Sequence, residues 1–170
     1  MRYKKMIFLS GKAITINLFF NKFVNLFKIH ELELYVTDPE NLEVNKYPNG
    51  KINLPSNILN LINIFKIISY IFQLRKLIKN NKNNIFFINT PLLSFLFRLS
   101  AIGIKSKIIY FVHGYRFNNN SNYLTFIPFF LIEFLLSFKT DKYIVINKYD
   151  ELITKKFFSK SVMKIDGVGI

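Results

Sequence analysis

Lys107-Ile-Ile-Tyr-Phe-Val-His-Gly-Tyr-Arg-Phe117 carries a short, almost wholly apolar run that stops at His113-Gly114, with Arg116 close behind. Apolar runs of this length, bounded by turn formers, suit a strand buried on both faces of a parallel sheet. In open α/β sheets ligands sit just beyond the carboxyl ends of such strands. The pattern therefore places His113 where that architecture keeps its chemistry. From the pattern alone two readings stay open: a ligand-facing histidine, or a loop residue that satisfies a backbone carbonyl.

Working outward, strand and helix signals alternate along the whole chain. Lys5–Leu9 reads as a first strand, Ser10-Gly11-Lys12 as a turn and Ile14–Phe27 as a helix; Glu33–Val36 is a second strand closed by Thr37-Asp38-Pro39. Tyr47-Pro-Asn-Gly50 is a turn signal, with a short strand over Lys51–Leu54, and Asn57 is placed to cap a helix running to about Lys79. Ile85–Ile88 is the next strand, and Thr90-Pro91 offers a capping hydroxyl before a proline at the first helical position. The helix Leu92–Ala101 is closed by Gly103, a residue suited to a left-handed helix end. After the strand that ends at His113 come a helix over Tyr123–Phe138, a strand over Tyr143–Ile146, a helix over Tyr149–Phe158 capped by Asn147, and a strand over Val162–Ile165. Repeated strand–helix units with apolar strands predict an α/β fold: a Rossmann-like, doubly wound parallel sheet in a single domain over residues 1–170.

Composition narrows the chemistry. The 170 residues suffice for one core, and the absence of cysteine excludes disulfides and thiolate metal sites. The two histidines, His30 and His113, are far apart in sequence, so no metal site is expected. Twenty-four Lys and Arg against ten Asp and Glu give a formal net charge of +14, which points to an anionic partner, although a compositional drift toward Lys would give the same count. The cations are scattered rather than gathered into a tail, and the phenylalanines fall on apolar helix and strand faces instead of forming a stacking platform. A nucleic-acid partner is therefore not expected. Glu133, inside an apolar helix, reads as a buried ion-pair partner rather than a catalytic acid.

The first turn lacks both the three glycines of a dinucleotide fingerprint and the spacing of a phosphate loop. Gly11 permits close approach of a ligand in front of a helix start, or simply makes a tight turn. Asp38 ends the second strand where an acid would hold a ribose, but without the glycine pattern that role is not assigned. Two apolar segments approach membrane length. Ile58–Phe72 carries Asn60, Asn63, Lys66 and Ser69 as a narrow polar stripe, the pattern of a buried or surface-lying helix; Tyr123–Phe138 contains Pro128 and Glu133 and is too short to span.

Asn89-Thr-Pro-Leu-Leu-Ser94, Gly103-Ile-Lys-Ser-Lys-Ile-Ile-Tyr110 and His113-Gly-Tyr-Arg-Phe117, followed in order by Glu133, Asp141, Ile146-Asn-Lys-Tyr-Asp150 and Gly167-Val-Gly-Ile170, give the chain a recognisable cast. It resembles the N-terminal, acceptor-binding domain of family-4-like GT-B glycosyltransferases of the capsule and exopolysaccharide type. His113-Gly114 looks like that family's His-Gly-Phe-x-Phe pattern, and the resemblance is best from about Ile85 onward.

The resemblance implies a cleft between this domain and a second one that binds the sugar nucleotide. Gly11 would lie near donor phosphates or acceptor, Thr90 and His113 would line the cleft with His113 touching the transferring sugar, and Arg116 would meet an anionic acceptor phosphate. No general-base role is assigned to His113. The first turn has one glycine where many relatives have two, and the sequence ends near the interdomain junction. The donor-binding domain is therefore expected to be absent from this chain. The expected function is that of an acceptor-binding half, inactive alone, with no cofactor of its own and a nucleotide sugar as donor once a second domain or a separate donor-domain chain completes it. The expected partners are a lipid-linked saccharide acceptor and an anionic membrane surface, with the protein cytoplasmic and peripheral on the inner face of the cell membrane. The alternative is a non-catalytic, membrane-associated subunit that recruits another glycosyltransferase.

Overall fold

The computed structural model describes residues 5–20, 28, 31–44, 47–52, 64–117, 121–159 and 161–165. Seven strands form one sheet: β1 (Met6–Leu9), β2 (Leu32–Val36), β3 (Asn49–Lys51), β4 (Ile85–Ile88), β5 (Lys107–Val112), β6 (Lys142–Val145) and β7 (Val162–Lys164). Their order is β3-β2-β1-β4-β5-β6-β7, and every pairing is parallel. Met6 stands opposite both Leu32 and Ile85, so β1 is the central strand on which the two halves meet. This is the doubly wound parallel sheet that the alternating pattern predicts.

The short strands are apolar on both sides because both faces are covered. Ile7, Leu9, Phe86, Ile88 and Ile108 point to the face packed by α2 (Ile64–Asn80) and α3 (Pro91–Ser100). Their neighbours Phe8 and Phe111, with Leu34 and Val36, point the other way. There they meet Ala13, Ile16 and Phe20 of α1, an α-turn over Ala13–Thr15 that runs on as a π-helical turn over Ile16–Phe20. The rest of the expected first helix, the Lys51–Leu54 strand beyond Ile52, the Asn57 cap and the Gly167-Val-Gly-Ile170 junction lie outside the described residues. Gly103 has φ of 76°, the left-handed turn expected after α3.

Two more helices complete the chain, α4 (Tyr123–Ser137) and α5 (Lys148–Ile153), the latter followed by a π-helical turn over Thr154–Phe158. Asn122 caps α4 by accepting from the Leu124 N–H, and Asn147 caps α5 by accepting from the Asp150 N–H at 2.8 Å, as its position predicts. Asp150 is itself buried, which raises its pKa, while hydrogen bonds from Asn147 and the Tyr115 backbone favour the charged form.

α4 is tied to α3 by charge. Arg98 is 1% exposed and Glu133 7%, and the guanidinium meets the carboxylate as a fork, with Nη1 donating to Oε1 at 2.6 Å and Nη2 to Oε2 at 2.8 Å. The Tyr143 hydroxyl donates to Glu133 Oε1 at 3.0 Å, Arg98 Nε donates to the Ser94 carbonyl at 3.2 Å, and the guanidinium carbon sits 4.5 Å from the Tyr110 ring centre. Burial alone would lower the Arg98 pKa, but the adjacent carboxylate outweighs it and the arginine stays charged. Glu133 is thus the ion-pair partner that its place in an apolar helix suggests, with Arg98 as the cation it meets.

Removing one member should strand the other without water. Glu133→Ala is expected to lower the unfolding free energy by about 3–5 kcal/mol, whereas Arg98→Met combined with Glu133→Leu should recover most of the loss. Urea midpoints of the three chains check this.

Candidate functional site

Strand order reverses between β1 and β4: the chain proceeds outward through β2 and β3, then returns to pair β4 with the other edge of β1. The connections leaving β1 and β4 go to opposite faces, so a crevice opens beyond their carboxyl ends. Ser10-Gly11, Asn89-Thr90 and His113-Gly114 follow β1, β4 and β5 directly, and these three adjacent strands deliver all of them to one rim.

Two of the sequence-predicted residues touch there. The Gly11 N–H donates to Thr90 Oγ1 at 3.1 Å. A β-carbon on Gly11 would lie 3.1 Å from that same oxygen, so glycine is needed for the close approach of the two loops. The Thr90 hydroxyl therefore does not cap α3 as its position suggests; it makes no capping bond and instead bridges the β4 turn to the β1 turn. The Thr37 hydroxyl donates to the Gly11 carbonyl, and Asp38 Oδ1 accepts from the Ala13 N–H at 2.8 Å. Asp38 thus serves the start of α1, where a carboxylate suits the exposed backbone donors.

His113 leans across from β5 to β4. Its Nε2 is hydrogen-bonded to Asn89 Oδ1, and its ring packs against Phe111 and, edge-on, against Phe20. In the neutral ring this bond places the proton on Nε2 and makes Nδ1 the acceptor nitrogen. Burial lowers the His113 pKa, since the half-buried imidazole loses water that would solvate its charge. Gly114 follows at φ of 137°, a conformation that side chains resist, and a β-carbon there would meet nothing within 4 Å. The requirement for glycine is therefore conformational.

Asn89 is the residue of the rim that sequence reasoning missed as a site residue. It is fully buried, and its Nδ2 has no hydrogen-bond partner among the described residues. An unmatched buried donor costs about 1–3 kcal/mol, a cost that an acceptor oxygen reaching the base of the crevice would offset. The available signal was its position one residue past a buried strand, the same rule that singled out His113.

Arg116 is set apart from this group. It is exposed, and its guanidinium lies 5.7 Å from the Phe129 ring centre on α4. No group of three or more metal-ligating side chains occurs among the described residues. The site can offer hydrogen bonds, backbone approach and one neutral imidazole.

No protein-family model matches the sequence, and no curated protein matches it. Its fold, a doubly wound parallel sheet, is nonetheless shared with parts of larger solved structures. The chain is similar to HepE of Anabaena, solved in complex with UDP and glucose, with a TM-score of 0.65 and 9% identity, over 95% of this chain and 44% of that one. It is also similar to a putative UDP-N-acetylglucosamine 2-epimerase from Listeria monocytogenes, with a TM-score of 0.59 and 16% identity over 95% and 45% of the two chains. The UDP-GlcNAc 2-epimerase of Methanocaldococcus jannaschii gives a TM-score of 0.58 and 11% identity over 95% and 44%. The chain therefore spans less than half the length of each of these proteins.

The His113 environment has a measurable consequence. Above the unfolded-state pKa of about 6.5 the ring is neutral in both states. As pH falls below that value, the unfolded chain takes a proton that the folded chain resists, so stability declines until the lowered folded pKa is reached and then stops declining on this account. His113→Gln should show a smaller loss of urea midpoint between pH 7 and pH 5 than the native chain.

Proposed function

We propose that this chain is the acceptor-binding half of a GT-B glycosyltransferase of the family-4-like, capsule or exopolysaccharide type, acting on a membrane-borne, lipid-diphosphate-linked saccharide. The observation that carries the reading is the rim itself. Gly11, Thr90, Asn89 and His113 meet at the switch point of a fold shared with proteins solved with UDP or named for UDP-sugars.

The residues divide the work by their chemistry. Gly11 allows a ligand to approach the backbone, and Thr90 holds that turn in place through its hydroxyl. His113, kept neutral by burial and oriented by Asn89, offers hydrogen bonds to sugar hydroxyls without attracting a counter-ion. Arg116, exposed and close to the start of α4, is available to an acceptor phosphate. The formal charge of +14 favours an anionic acceptor and the anionic inner face of the cell membrane over a neutral soluble glycan. In this reading the nucleotide sugar is held by a second domain or a separate donor-domain chain, and this half alone transfers nothing.

Calorimetric titration tests the division. A detergent-solubilised lipid-diphosphate disaccharide should bind, with at least tenfold weaker binding to His113→Ala, while UDP-glucose should neither bind comparably nor release UDP. Turnover of UDP-glucose by this chain alone, or indifference of saccharide binding to His113→Ala, would overturn it.

A further inference from the structure

α4 presents a surface at odds with a helix that merely covers a sheet. Its fifteen residues, Tyr-Leu-Thr-Phe-Ile-Pro-Phe-Phe-Leu-Ile-Glu-Phe-Leu-Leu-Ser, contain one ionisable acid or base besides the tyrosine, and that group, Glu133, is buried against Arg98. The inward stripe is narrow. Phe126 and Phe130 pack on Phe117, Phe130 also packs on Phe158, and Glu133, Leu136 and Ser137 are buried. Elsewhere the helix is apolar and exposed. Leu124, Ile127, Leu131, Leu135 and Phe138 recur at three- and four-residue spacing and are 83%, 52%, 51%, 65% and 77% exposed. A continuous apolar stripe of this kind marks a surface that something else covers.

Length, charge and position identify the cover. Fifteen residues at about 1.5 Å each make a helix of roughly 22 Å, short of the roughly 30 Å hydrocarbon core of a bilayer. Among the described residues no helix is long and apolar enough to cross a membrane. A helix of this kind lies in the interface plane, its apolar side among the upper acyl chains. One cation is seated over a ring of the helix, Arg116 over Phe129 at 5.7 Å; a second, Lys156, lies over Phe157 at 5.1 Å, on the neighbouring turn whose Phe157 ring is 5.2 Å from Phe130. Long basic side chains can keep their charge at headgroup level while their stems cover apolar surface. A formal charge of +14 opposes close pairing with a second copy and favours anionic lipid.

We propose that α4, together with Arg116 and Lys156, is the surface by which this chain docks on an anionic bilayer, with the Leu124-to-Phe138 stripe in the interface and the two cations on headgroup phosphates. The proposal rests on the reading of a membrane-borne acceptor and assigns that contact to a definite face. The described part of the Ile58–Phe72 segment opens α2, where Phe65, Ile68 and Phe72 are also exposed but share that side with exposed Lys66, Ser69 and Gln73, whereas the α4 stripe is apolar throughout. The consequence for the site is geometric. β5 ends at Val112, Arg116 follows, and α4 begins at Tyr123, so docking on α4 holds the carboxyl rim of the sheet close to the lipid surface.

The chain has no tryptophan, so a single introduced indole reports its own surroundings. Leu135→Trp in the full chain should shift its emission to the blue on addition of phosphatidylglycerol–phosphatidylcholine vesicles at low salt and be quenched by brominated lipid. Leu18→Trp, exposed on the turn after α1 on the opposite face of the sheet, should respond to neither. In vesicle sedimentation, Leu131→Gln with Leu135→Gln should weaken binding at least tenfold while leaving the circular dichroism and thermal midpoint unchanged, because both side chains are exposed. Arg116→Gln with Lys156→Gln should weaken binding to anionic vesicles severalfold and leave binding to pure phosphatidylcholine unaltered.

Native-like vesicle binding by the Leu131/Leu135 double variant overturns the proposal. So does a dimer in solution that the same variant converts to monomer without loss of vesicle binding, which would give the stripe to a second copy. Saccharide binding measured in detergent with the native chain and the Leu131/Leu135 double variant separates the two readings. If both bind saccharide and the native chain never binds vesicles, the docking surface is wrong and the acceptor site stands. If vesicles bind through α4 and no saccharide binds, the docking surface stands without that site.

Discussion

The reversal of strand order at β1 and β4 is the constraint on which the rest of this molecule depends. Parallel strands connected by right-handed crossovers cannot keep their helices on one face once the order turns back, so the chain ends of β1 and β4 are left facing a crevice. The Gly11–Thr90 hydrogen bond closes the floor of that crevice, and Asn89 brings His113 to it from β5. None of these contacts is local in sequence, Gly11 and Thr90 being 79 positions apart and Asn89 and His113 24 positions apart. The fold supplies their proximity, and the side chains supply the chemistry.

A second constraint acts on the far side of the sheet. Arg98 and Glu133 hold α4 in place with a charge pair where apolar packing would serve as well, and Tyr110 and Tyr143 enclose it. Burial raises the pKa of both tyrosines, so the enclosure stays neutral around its one ion pair. A helix that is apolar nearly all round could settle on the sheet in several rotations, because hydrophobic burial has no direction. A bidentate ion pair admits one rotation. By fixing Glu133 inward, the pair fixes which side of α4 faces out. Specificity of this kind is an attested use of buried polar groups.

Much of this was legible in the sequence because it rests on local rules. Buried strands ending in turn formers located the rim, and the Asn147 and Gly103 helix ends follow from hydrogen-bonding capacity and backbone freedom. What was not legible is what depends on a distant partner. Thr90 has the right residue type and place for a helix cap, but a hydroxyl 79 residues away from Gly11 in sequence takes the tertiary bond instead. Asp38 serves α1 for the same reason, its carboxylate being close to backbone donors the sequence could not put beside it. Arg98, a cation at the end of a helix, looks like any solvated arginine until α4 covers it. Exposure of the α4 stripe was likewise hidden, since apolar periodicity reads as core unless the third dimension shows otherwise.

The proposed role of the rim at His113 as one wall of a saccharide-binding cleft can be tested on the imidazole itself. The chain contains two histidines, so the imidazole resonances of His113 can be followed individually with His30 as an internal reference. On titration with a short-chain lipid-diphosphate disaccharide, the His113 ring should show saturable shifts that disappear in Gly11→Val, whose side chain would part Thr90 from the β1 turn. A His113 ring that stays unmoved at saccharide concentrations that shift other residues would contradict it.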